Sequence, residues 1–153
     1  GPVSAQMILR DPSVDAAVME TAHGGMLRSG LGFQSCDVAA CLNVSADHLG
    51  LRGIDTLEQL AEVKRVPIEI ATHAAVLNAD DALCLQMADY TDAEKVCYVT
   101  MNPAHPLVKQ HIQAGGQAFV LEKGMNGHLK SASKTFDRDC APSIRATSRR
   151  RVA

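Results

Sequence analysis

Five short runs that are apolar almost throughout, separated by segments of helical character, constrain this chain more than any other feature. The runs are residues 14–19 (VDAAVM), 37–44 (DVAACLNV), 73–77 (HAAVL), 95–101 (KVCYVTM) and 117–121 (QAFVL). Between them, residues 56–71, 80–88 and 106–114 read as helices. A strand with one wet face alternates apolar and polar residues. Strands without that alternation belong to a parallel sheet covered on both sides. Helices between parallel strands make right-handed crossovers. The expected fold is α/β, in three layers, with a mostly parallel sheet and helices on both faces. A length of 153 residues suits one such domain, and 46% hydrophobic against 21% charged residues supplies a core.

Composition removes several classes of function. No uncharged apolar run approaches the roughly 18 residues of a membrane-spanning helix, so no membrane partner is expected. The opening GPVSAQMILRD lacks a basic stretch followed by a long apolar one, so no secretory signal is expected either. The five cysteines (Cys36, Cys41, Cys84, Cys97, Cys140) are odd in number and form no C-x-x-C pair. Free thiols in a cytoplasmic protein are the expectation. Cys36 and Cys41 fall at the start of or within an apolar strand and read as buried, inert thiols. Two Tyr, three Phe and no Trp leave little to stack on bases, so no nucleic acid partner is expected. The net charge of −2 hides a break: residues 130–153 carry seven Lys/Arg and two Asp, a net of +5, against −7 for residues 1–129. The expected organisation is one domain over 1–129 and a basic, disordered tail over 130–153.

Open α/β sheets bind ligands outside the carboxyl ends of their strands. The first run ends at Glu20, followed by Thr21-Ala22-His23-Gly24-Gly25. The second ends around Asn43, before Val44-Ser45-Ala46-Asp47-His48-Leu49-Gly50, and the third at Asn78-Ala79-Asp80-Asp81. These residues could equally cap helices and form turns. Lys64 adds a sharper signal. Leu57, Leu60, Ala61 and Lys64 share the core-facing stripe of a helix. A charged lysine there needs a partner, a changed charge, or a route to solvent along its stem.

The run ETAHGGMLRSGLGF, then CDVAACLNVSADHLGLRGIDTLEQLAEVK, then AVLNADD resembles the central, ATP-binding domain of the Mur ligase superfamily over about residues 1–128. Its N…DHLG segment, with a lysine sixteen residues after the histidine, is the specific part. The glycine-rich stretch and SADHLGL point to the cyanophycin-making branch. The resemblance implies ATP and Mg²⁺ as cofactors. Glu20, His48 and Lys64 match its magnesium-holding positions, with Lys64 carbamylated and counted as the catalytic residue. Asn43, Asn78 and Asp81 match its nucleotide-binding loops, and Asp47 a supporting group. The implied reaction is amide formation through an acyl phosphate, with arginine added to aspartate side chains of the cyanophycin polymer.

The family's phosphate loop of G-x-x-x-x-G-K-[ST] pattern is not in this sequence, His23 stands where arginine is expected, and the likeness stops near His128. The chain therefore reads as a truncated piece, inactive alone, with a sheet edge that could pair with a second copy. A non-catalytic α/β remnant or binding module is the alternative, with Glu20, His48 and Lys64 acting as caps and surface charges.

Overall fold

A computed structural model of the chain describes residues 1–50, 52–123 and 129–133. The chain opens with helices α1 (Pro2–Arg10) and α2 (His23–Ser29). Then come β1 (Cys36–Cys41), α3 (Leu57–Glu69), β2 (Ala71–Asn78), α4 (Ala82–Gln86), β3 (Lys95–Thr100), α5 (Pro106–Gln113), β4 (Gln117–Lys123) and β5 (Leu129–Ser133). Short 3-10 turns at Ala46–His48 and Met87–Tyr90 complete the order. The strands form one sheet in sequential order, parallel from β1 to β4 and antiparallel between β4 and β5. The α/β class, the mostly parallel sheet and the helices between strands are as the sequence predicts.

The register shows which residues share a face. Cys41, Leu77, Tyr98 and Ala118 lie side by side across four strands, as do Ala39 with Ala75 and Thr100 with Val120. All of these are buried, and apart from Thr100 they join Leu60 and Ile68 of α3, Cys84 of α4 and Val108 of α5 in one core. Alanines at 39, 75 and 118 keep that face low enough for helices to approach closely. The start of α3 is set by a capping box. The Thr56 hydroxyl accepts from Gln59 N at 3.2 Å, and Gln59 Oε1 accepts from the Thr56 and Asp55 amides.

Burial is weighted to this face, although Cys97 on the other is buried as well. On the opposite face, Val38 and Phe119 remain 42% and 41% exposed. The described residues thus supply one of the two helical layers expected. A sequential strand order with a single crossover hand sends every crossover helix to the same side. Helices α1 and α2 do not make up the second layer: α2 packs against α3, and α1 against α2.

The run at 14–19 is not a strand. Asp11 Oδ1 accepts from Ser13 N and Oγ at 2.9 and 2.7 Å, and the Val14 amide reaches Asp11 O at 3.2 Å. That turn sends residues 16–22 on as irregular chain beside α1 and α2, with Val18 98% exposed. Apolar content alone does not make a strand, because a ladder needs a neighbouring backbone, and none of the described strands pairs with this segment. Two helices that the apolar pattern leaves unmarked flank it. In α2, Gly24 and Gly25 occupy the first turn despite a cost of about 1 kcal/mol each relative to alanine. Gly32 closes the unit: at φ +84° a Cβ there would stand 2.6 Å from Pro2 O, so only glycine fits.

The boundary expected at 129/130 is crossed by β5, which pairs Val120 with Ala132 and Glu122 with Lys130. The remainder of the expected tail, 134–153, lies outside the described residues.

A core weighted to one face predicts an asymmetric response to truncation. Leu60→Ala should lower unfolding free energy by about 3 kcal/mol. Val38→Ala on the open face should cost less than about 1 kcal/mol. Urea titrations of the two variants check this.

Candidate functional site at the strand ends

The carboxyl ends of β1, β2 and β3 lie at one edge of the sheet because the three strands are parallel. The loops leaving them are stitched together by side chains. Asp81 is the N-cap of α4, where its Oδ1 accepts from Leu83 N and Cys84 N at 3.0 Å each. Its Oδ2 accepts from Val44 N at 2.8 Å, in the loop after β1. Asn78, at the end of β2, donates from Nδ2 to Leu42 O at 2.8 Å and accepts the Asp80 amide at 3.0 Å. Two bridges therefore hold the β1 loop against the β2 loop.

A second set ties β2 to β3. Asp80 accepts from the Thr100 hydroxyl at 2.6 Å and from Met101 N at 2.7 Å. His105 caps α5, with Nδ1 facing Val108 N at 3.5 Å and Nε2 against Ala79 O at 3.1 Å. Those contacts fit the neutral tautomer with the proton on Nε2. Thr100 and His105 were not singled out from the sequence as site residues, and Asp80 was noted only as part of the segment after the third run. Thr100 ends an apolar run, so the strand-end rule that selected Asn43 and Asn78 applies equally to it.

Lys64 reaches this edge from the middle of α3. It shares a helix face with buried Leu60 and Ile68, one turn to either side. As a crossover between parallel strands, α3 runs back along the sheet, and helical side chains lean toward their N-terminus. The lysine stem therefore points at the strand ends, where Nζ donates to Asn43 O at 3.0 Å. The structure thus brings together Lys64, Asn43, Asn78 and Asp81.

Glu20 has a different set of neighbours. It is exposed on the irregular segment before α2 and lines a cavity of about 270 Å³ with Pro2, Ile8, Met19, Met26 and Phe33. No described hydrogen bond or ion pair joins it to Lys64. The backbone of His48 ends the 3-10 turn after β1, and its side chain lies outside the described residues. Among the described residues no three His, Cys, Asp or Glu side chains gather closely enough to hold a metal ion. Asp47 receives the Ser45 hydroxyl at 2.6 Å. His23 is buried as the first residue of α2. No helix among the described residues is long and apolar enough to cross a membrane.

Residues 4–138 match the family described as "Mur ligase middle domain". Curated relatives of high similarity are proteins named "Cyanophycin synthetase". The one from Synechocystis sp. is 56% identical over 126 residues, and that from Trichormus variabilis 55% over 126. That from Geminocystis herdmanii is 53% identical over the same length. Each alignment covers 81% of this chain and 14% of the relative, so the chain spans about a seventh of the length of the proteins it matches.

The bridge made by Asp81 has a pH signature. Partial burial pushes its carboxyl up, but the amides of Val44, Cys84 and Leu83 outweigh this and hold it below the ordinary aspartate range. A depressed folded-state value gives stability that is complete above the ordinary value and lost as pH falls through the folded one. Asp81→Ala should cost about 2 kcal/mol at pH 7, one part for the lost cap and one for the orphaned Val44 amide. The gap from wild type should shrink below about pH 4, as urea unfolding at pH 7 and pH 3 would show.

Proposed function

The chain belongs to the Mur ligase middle domain family, and from that premise we propose that it is the nucleotide- and metal-binding part of an ATP-dependent amide ligase. The relatives' name supports a finer reading, in which the ligase adds arginine to aspartate side chains of the cyanophycin polymer. The observation that carries this reading is the contact of Lys64 Nζ with Asn43 O. It takes a lysine from a core-facing helical stripe to the edge where α/β sheets bind ligands.

In this reading Asn43, Asn78 and Asp81 shape the nucleotide pocket. The bridges from Asn78 to Leu42 O and from Asp81 to Val44 N keep the β1 and β2 loops at a fixed separation before nucleotide arrives. Such preorganisation lowers the ordering cost of binding. Glu20, His48 and carbamylated Lys64 would hold Mg²⁺, since carboxylate and carbamate oxygens suit that cation. Bound there, Mg²⁺ would supply neutralisation of phosphate charge during acyl-phosphate formation. Carbamylation would leave Lys64 Nζ one N–H, so the bond to Asn43 O could persist while the positive charge is lost. A chain of this extent, without the phosphate loop, is expected to be inactive as a ligase by itself. The proposed setting is cytoplasmic, and the proposed self-association runs through β1, an edge strand of the described sheet.

One observation favours a second reading, a non-catalytic α/β module. Both Asp81 oxygens are already engaged by backbone amides, and Asn78 by backbone groups, as structural caps would be.

Calorimetric titration with ATP in the presence and absence of Mg²⁺ separates the two. The ligase reading expects weak, Mg²⁺-dependent binding by the wild type. It expects this binding to fall at least about tenfold, or 1.4 kcal/mol, in Glu20→Gln, His48→Ala and Lys64→Ala. No binding by any form, or equal binding by all of them, supports the module.

A further inference from the structure

We propose that Cys41 and Cys84 are an oxidation site, closing under hydrogen peroxide to a disulfide that ties the end of β1 to the first turn of α4. Their sulfurs stand 3.5 Å apart, with the Cys84 thiol donating to Cys41 Sγ, although the residues are 43 positions apart in the chain. Both are held from their own elements. Cys41 pairs with Leu77 as the last residue of β1, and the Cys84 amide is fixed on Asp81. A disulfide bond is about 2.0 Å long, so the sulfurs need to approach by roughly 1.5 Å, a displacement of the size of a side-chain adjustment.

The other described thiols have no such geometry. The Cys36 thiol points to Pro67 O at 3.8 Å, and that of Cys97 to Tyr98 O at 3.9 Å. Cys97 also shares the opposite sheet face with Ala40 and Val76. The pairing is therefore selective, and the fold imposes it. Both residues are nearly inaccessible, at 6% and 0% exposure, so a peroxide-sized oxidant reaches them only through local opening of the strand-end loops, and bulkier thiol reagents are disfavoured.

The Cys41 sulfur, as thiolate, attacks one peroxide oxygen and the O–O bond breaks. The departing hydroxide takes the proton lost by Cys41 and leaves as water, with Cys41 as a sulfenic acid. The Cys84 sulfur then attacks the sulfenic sulfur, the S–O bond breaks, and a second water carries away the Cys84 proton. Two thiols lose two electrons in all, and one peroxide is reduced to two waters. A small dithiol reverses the bond by exchange. The hydrogen bond from Cys84 lowers the Cys41 thiol below its ordinary range, against burial, and the charge of Lys64 adds to this while that lysine is unmodified. The same hydrogen bond and burial push Cys84 up, so the two sulfurs differ in role.

The site lies beneath the bridges at the strand ends. Cys41 immediately precedes Leu42, which receives the Asn78 amide, and Cys84 is bonded through its amide to the carboxylate that holds Val44. The disulfide therefore acts on the two elements whose separation sets the position of Asn43.

The test is thiol mapping of the folded chain. After brief peroxide treatment of the folded chain, the oxidant is removed, the chain is unfolded in acidic urea and its free thiols are alkylated, and the digested peptides are analysed by mass spectrometry. The expected result is a linked pair joining the peptide with Cys41 to that with Cys84, removed by dithiothreitol. Cys36→Ser should retain the link and Cys41→Ser should lose it. Chain oxidised in urea should give mixed pairings instead. Recovery of Cys41 and Cys84 as alkylated thiols, as separate sulfinic acids, or joined to other cysteines as often as to each other would overturn the proposal. The unsubstituted chain decides this even if a variant does not fold.

Discussion

The carboxylate of Asp81 does two things at once at the carboxyl edge of the sheet. One oxygen closes the open amides at the start of α4, and the other reaches across to the Val44 amide after β1. Only a short acidic side chain in the N-cap geometry has two acceptor oxygens so placed. Through it the helix after β2 is locked to the loop before α3, and the Asn78 amide repeats the tie one layer over at Leu42 O. Lys64 meets Asn43 O between these two struts. Without them the loops after β1 and β2 would be separate pieces of irregular chain, and the strand ends would present no fixed edge.

That edge sits on a core built mainly from one side. Small residues on the helix face of β1, β2 and β4 let α3, α4 and α5 lie close, and the opposite face stays partly exposed at Val38 and Phe119. One helical layer and one sheet, joined by sequential crossovers, is a fold whose strand ends can be read directly from the order of the chain. The match to the Mur ligase middle domain family is consistent with that order. Under the proposed function, the strand ends, and not the cavity beside α1, are where a nucleotide would bind.

Much of this was legible in the sequence, and the rest was lost for identifiable reasons. The apolar runs located β1 to β4 to within a few residues at either end, and the Leu57–Leu60–Ala61–Lys64 stripe anticipated both the buried face of α3 and the unusual lysine on it. Residues 14–19 misled because β-rich composition carries no information about whether a partner strand is at hand. Strand β5, rich in Ser and Lys, lacks the apolar content that betrays a strand, and its place follows only from pairing with β4. In α2 two glycines hid a helix. Asn43, Asn78 and Asp81 were legible as loop residues after strands. That Asp81 would bind Val44, 37 positions away, was not, because no local pattern records which loops meet. Glu20, His48 and Lys64 were linked by resemblance. Of these, Lys64 stands at the strand ends, while Glu20 lies along the α1–α2 cavity.

The strand-end edge depends on the Asp81 strut, and amide hydrogen exchange at Val44 measures it directly. If the carboxylate holds that amide, Val44 exchanges as slowly as the Leu83 and Cys84 amides bound to the same side chain, and Asp81→Ala releases all three together. A Val44 amide that exchanges at the rate of an open loop while Leu83 and Cys84 stay protected would contradict it.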